Sequence, residues 1–131
     1  MFATNVFGLV RVTHAMLPLL LKSENPVIVN VASGLGSIGV ATDKERLESR
    51  FASIAYSSSK SAVTMLTVQY AKAFPELRVN VVDPGYTATD LNGNRGSQSV
   101  TEGTDAIVTL ATIGSDGPTG TFQDRNGTVP W

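Results

Sequence analysis

Two short apolar runs, Val27–Val31 (VIVNV) and Arg78–Val82 (RVNVV), flank a long helical stretch, and this order constrains the fold more than any other feature of the chain. Each run is too short for a helix, rich in β-branched residues and bounded by turn formers. Pro26 and the Gly-rich Ser33–Gly39 bracket the first, and Pro84-Gly85 closes the second. Apolar strands without alternation suit a sheet covered on both faces. Between them, from about Ser53 to Phe74, residues Ala62, Val63, Leu66, Tyr70 and Ala73 recur on one broad stripe, with Pro75 as the stop. Parallel strands need a crossover of this kind.

The rest of the chain continues the alternation. Val6, Leu9, Val10, Thr13, Leu17, Leu20 and Leu21 predict a first helix, which Pro18 should kink or shorten. Residues 42–50 read as a solvated loop or short helix, and Asp90 to Ser99 as a mobile Gly/Asn/Ser-rich segment. Val100–Ile113 predicts a third helix with Ser99 or Thr101 as its cap. A strand or hairpin is expected around Thr121–Val129. The expected class is α/β: a partial Rossmann-like, doubly wound parallel sheet of about three strands with covering helices. The chain opens on a helix, with no strand before it to start the winding.

Composition narrows the function. The 131 residues carry 42% hydrophobic and only 16% charged side chains, below the ~25% usual for soluble domains, so either much of the surface is buried or a face is hidden against something else. A net charge of −1 offers no electrostatic footprint for nucleic acid or an anionic membrane. With no cysteine and one histidine, neither a thiolate nor a His-rich metal site is expected, and a reducing cytoplasm is. Leu17–Leu21 is too short to span a bilayer.

Three constellations could carry chemistry. Gly34-Leu35-Gly36-Ser37-Ile38-Gly39 is a literal G-x-G-x-x-G after a strand, but no second strand ending in an acid follows about 20 residues on, as a dinucleotide site requires. A flexible loop is expected there instead. In Tyr56-Ser57-Ser58-Ser59-Lys60, Tyr and Lys share one helix face. An adjacent ammonium favours the phenolate and brings a tyrosine toward general acid/base range. Ser33 follows the carboxyl end of the first strand, where open α/β sheets place their ligand crevice, and Pro84-Gly85 ends the next strand at the same edge. Asn5, near the start of the first helix, is a fourth polar candidate.

These residues, with TNVFG (4–8), LPLL (17–20), VIVNVAS (27–33), YSSSK (56–60) and LRVNVVDPGYTATD (77–90), resemble the short-chain dehydrogenase/reductase family. The Ser33–Tyr56 spacing and the ending DGPTGTFQDRNGTVPW resemble its carbonyl-reductase-like branch. The resemblance implies an active site of Tyr56, Lys60, Ser33 and Asn5, with Ser37 as the fallback serine. It also implies cofactor contacts from Tyr56, Lys60, Pro84, Gly85, Thr87 and Thr89. The implied cofactor is NADP(H), with NAD(H) the alternative, and the implied substrate is a small-molecule carbonyl compound or alcohol. A homo-oligomer through the two long helices follows from the same resemblance.

The family's opening strand, its T-G-x-x-x-G-x-G turn and its N-N-A-G stretch have no counterpart here. Residues 1–131 are therefore expected to be the C-terminal catalytic half of such a domain, without the N-terminal dinucleotide-binding part, and inactive alone. The alternatives are a non-catalytic remnant acting through oligomerisation or partner binding, and a hydrolase using Ser33 with His14 and an Asp. The latter lacks a G-x-S-x-G elbow.

Overall fold

The computed structural model describes residues 1–131. Four helices, α1 (Leu9–Leu20), α2 (Ile38–Thr42), α3 (Ile54–Ala73) and α4 (Val100–Ala111), accompany four strands, β1 (Val27–Val31), β2 (Arg78–Val82), β3 (Phe122–Asp124) and β4 (Gly127–Thr128). The sheet order is β1-β2-β3-β4. β1 pairs with β2 and β2 with β3 in parallel, while β4 turns back antiparallel on β3. The parallel α/β arrangement is as expected, with the tail hairpin adding a fourth, two-residue strand.

Residue alternation along β2 sorts the helices to the two faces of the sheet. Val81 packs with Val63 of α3, and its neighbour Val82 packs with Ala106 and Leu110 of α4. Both strands also carry a buried asparagine whose amide finds partners. Asn30 donates to Thr67 Oγ1 of α3 at 2.8 Å. Asn80 donates to the Pro118 carbonyl at 2.7 Å and accepts from the Thr121 backbone at 3.1 Å. These bonds fix α3 and the approach to β3, since an unmatched amide here would cost about 1–3 kcal/mol.

The buried side of α3 differs from the expected stripe. Ser59, Val63, Thr64 and Thr67 are buried, whereas Ala73 is exposed and Leu66 and Tyr70 are half-buried. Small hydroxylated residues let the helix approach the sheet closely. Their hydroxyls are satisfied by carbonyls three or four residues back, as with Ser59 to Tyr56 and Thr67 to Val63.

The first helix begins as a π-helix over Ala3–Gly8 before settling into α1. Pro18 shortens nothing: α1 continues to Leu20. Pro18 removes one bond to the carbonyl of His14, and both residues lie on the exposed side, where water can replace it. Nor is Ser33–Gly39 a flexible loop. It forms a 3₁₀ turn (Gly34–Gly36) leading into α2, with Gly34, Gly36 and Ser37 buried. A Cβ on Gly36 would lie 2.7 Å from the Lys60 backbone, so only glycine lets this turn lie on α3.

β1 forms one edge of the sheet. The Pro26 carbonyl and the Ala32 amide bond to β2, and by alternation the peptide groups of Val27, Val29 and Val31 point away from it.

Candidate active site

The carboxyl ends of β1 and β2 open side by side, and α3 starts against them. β1 delivers Ser33 and the Gly34–Gly36 turn, and β2 delivers Asp83-Pro84-Gly85. The turn is held on both sides: Ser61 Oγ donates to the Gly36 carbonyl at 2.7 Å, and a Cβ on Gly34 would lie 2.8 Å from Asp83 Oδ2. The Ser33 region therefore lies between the first turns of α3 and the end of β2.

Tyr56 and Lys60, one turn apart on α3, are both half-buried. Lys60 Nζ lies 5.7 Å from the centroid of the Tyr56 ring, within cation–π range. It donates to the Val31 carbonyl at 2.9 Å, on the free edge of β1. Burial pushes the Lys60 ammonium below its ordinary pKa, and the negative charge of Asp83 opposes that shift. Asn5 joins from the π-helical segment: its Nδ2 donates to Ser59 Oγ at 3.0 Å, and Ser59 Oγ donates to the Tyr56 carbonyl at 2.7 Å. A three-residue chain thus ties the first helix to the turn that carries Tyr56.

The other expected site residues have more local partners. Ser33 Oγ accepts from the Leu35 backbone at 3.3 Å and caps the 3₁₀ turn. Ser37 is buried, donates to the Pro130 carbonyl at 2.6 Å and accepts from Val40 N, which makes it structural rather than a substitute for Ser33. Thr87 Oγ1 donates back to the Pro84 carbonyl at 3.1 Å, and Thr89 starts the next 3₁₀ turn (Asp90–Asn92). Pro84 is half-buried and Gly85, at φ +69°, is exposed on the rim. His14 is exposed on α1 and makes no hydrogen bond to Ser33, so nothing favours the hydrolase reading.

The G-x-G-x-x-G segment is no phosphate cradle. The amides of Gly36, Ser37 and Gly39 are bonded to the Ser33, Gly34 and Trp131 carbonyls, and α2 behind them has five residues.

Sequence reasoning missed Asp83 and Ser59. Asp83 is buried, and its carboxylate accepts from Gly85 N at 3.0 Å. An acid directly before Pro-Gly, at the end of an otherwise apolar strand, was the available signal. Ser59 gave none, because its importance comes from a partner 54 residues away.

Residues 1–100 match the family model described as short chain dehydrogenase. The chain belongs to the short-chain dehydrogenase family. Among family members, (+)-neomenthol dehydrogenase of Capsicum annuum is 33% identical over 93% of this chain and 49% of its own length. Salutaridine reductase from Papaver somniferum superposes with a TM-score of 0.78 at 28% identity, over 92% of this chain and 52% of that one. A short-chain dehydrogenase/reductase from Burkholderia multivorans with bound NADP gives 0.73 at 25% identity, over 98% and 53%. The chain spans about half the length of the curated relatives it matches. No helix in this short-chain dehydrogenase chain is long and apolar enough to cross a membrane.

Proposed function

We propose that these 131 residues are the catalytic C-terminal half of a nicotinamide-dependent oxidoreductase that interconverts a small-molecule carbonyl compound and its alcohol. The observation that carries this reading is the convergence of Tyr56, Lys60 and the Ser33 turn with Pro84-Gly85 at one sheet edge. Family membership supports the same class of reaction.

The donor set fits the nicotinamide end of a dinucleotide. Lys60 offers an ammonium, Gly85 an exposed backbone, and Pro84, Thr87 and Thr89 build the rim behind it. NADP is the favoured cofactor, supported by the relative with NADP bound, and NAD remains the alternative. When bound, the nicotinamide supplies or accepts the hydride. Tyr56 gives a proton to the carbonyl oxygen on reduction and takes it back on oxidation. Lys60 holds the phenol's environment positive and binds the ribose, and Ser33 orients the substrate oxygen. Asn5 fixes the Tyr56 turn through Ser59. The pyrophosphate has no equivalent cradle in the Gly34–Gly39 segment, because the Gly36, Ser37 and Gly39 amides already bond to protein carbonyls.

A second reading, a surface that pairs with another subunit, is favoured by one observation. Val12 and Met16 of α1 are exposed and line a groove of about 290 Å³ that runs along β1. We place a homo-oligomer contact on the long helices α1 and α3, and the cysteine-free composition supports a cytoplasmic setting.

The test is complementation. The chain is co-expressed with the dinucleotide-binding half of a relative and assayed for carbonyl-dependent NADPH oxidation. Activity with the wild-type chain that is lost with Tyr56→Phe supports the proposal. Activity that survives Tyr56→Phe overturns it. Calorimetry of the 131 residues alone adds a check, since micromolar NADPH affinity there contradicts the half-site reading.

A further inference from the structure

We infer that Asp83 is a positioning residue of this site, its carboxylate tying the loop after β1 to the turn after β2 and so setting the width of the crevice between Ser33 and Gly85. The inference rests on the proposed function for its consequence, but its geometry stands independently. Asp83 continues β2, and its own amide is fixed on the Gln123 carbonyl of β3 at 2.8 Å. Its Oδ1 accepts from Gly85 N at 3.0 Å, inside the turn that follows. The other oxygen faces the turn after β1: a Cβ on Gly34 would lie 2.8 Å from it.

One small group therefore touches both walls. The residue is 9% exposed, so its carboxylate is held by these contacts rather than by water. A carboxylate accepts the Gly85 N–H with one oxygen while the other packs against Gly34, a pairing an apolar side chain cannot make. A serine or threonine is too short to reach both turns.

The charged surroundings give the tie a pH dependence. Lys60 faces Asp83 from α3, Glu48 from the 3₁₀ turn Leu47–Arg50, and Asp124 from β3. Glu102 of α4 and Arg125 of the β3–β4 turn line the small cleft beneath it. Burial, Glu48 and Asp124 raise the Asp83 pKa, while the Gly85 and Gly34 amides oppose that. Protonation weakens the carboxylate as an acceptor toward the Gly85 amide and removes the charge packed against Gly34.

Amide NMR on the 131-residue chain tests this directly. The Gly34 and Gly85 resonances should move with pH at one common midpoint, raised from the ordinary aspartate value, and both should become flat there in Asp83→Asn. Separate midpoints, or a titration that survives Asp83→Asn, overturn the inference. Should Asp83→Asn fail to fold, Gly34→Ala serves: its methyl meets Oδ2 and should shift the Gly85 resonance, and an unmoved Gly85 overturns the tie. In the complemented enzyme, Asp83→Asn should lower kcat/KM for NADPH at least about tenfold, the scale on which small displacements of positioning loops act. A common titration without Tyr56-dependent reduction leaves the tie standing and removes only the proposed function. Tyr56-dependent reduction with an unchanged Asp83→Asn profile removes only the tie.

Discussion

Lys60 Nζ lies 5.7 Å from the centre of the Tyr56 ring while donating to the Val31 carbonyl at 2.9 Å. The ammonium is thus held by the sheet edge beside the ring, without a hydrogen bond to the Tyr56 hydroxyl. Tyr56→Phe removes the proposed proton donor and leaves Lys60 in place. In the complemented enzyme, kcat should fall by about 10²–10⁴ with NADPH affinity unchanged. Lys60→Ala should weaken both, as read by steady-state kinetics and a fluorescence titration of NADPH.

Asn5 and Ser59 test whether the π-helical start of the chain supports the site. Asn5→Ala leaves the buried Ser59 oxygen without its donor. A loss of about 1 kcal/mol is expected, seen as a lower urea midpoint at unchanged slope. In the complemented enzyme, kcat should fall along with stability, because the same bond orients the Tyr56 turn.

The core between sheet and helices sets most of the stability. Leu77 and Phe122 are buried, and Leu77→Ala or Phe122→Ala should cost about 2–5 kcal/mol in urea unfolding. Leu91, 97% exposed, is the control, and Leu91→Ala should change stability by no more than about 0.5 kcal/mol.

Glu102 gives a pH dependence with a definite sign. It closes the capping box of α4 with Ser99 and pairs with Arg125 at 2.9 Å. The Ser99 amide and then Arg125 lower its pKa from 4.5 to about 2. A depressed carboxylate stabilises the fold above its ordinary value and loses that contribution as pH falls toward its folded value. Melting curves of the wild type and Glu102→Gln should therefore differ above pH 4.5 and converge near pH 2.

Much of the fold was legible because it rests on local pattern. Both long strands fall where β-branched runs meet Pro and Gly, and Ser99, one of the two expected caps, begins α4. What escaped depends on distant partners. The buried face of α3 is set by Asn30 on β1 reaching Thr67, not by the apolarity of the helix. The Gly34–Gly36 turn is rigid because Lys60 and Asp83 crowd it, which no neighbouring residue reveals. Tyr56, Lys60 and Ser33 could be found as residue types at sheet and helix ends, whereas Asp83 emerges only once two loops are seen to meet on it.

The chain's single tryptophan closes the structure in a useful place. The Trp131 carbonyl receives the Gly39 amide at 2.8 Å, its indole lies 5.7 Å from the Phe122 ring, and Pro130 takes the Ser37 hydroxyl. The segment leading out of Ser33 is thereby wired to the one strong fluorophore in the molecule. Any rearrangement of that wall, whether on ligand arrival or subunit contact, registers as a change in indole emission, so the protein carries its own optical reporter and needs no label.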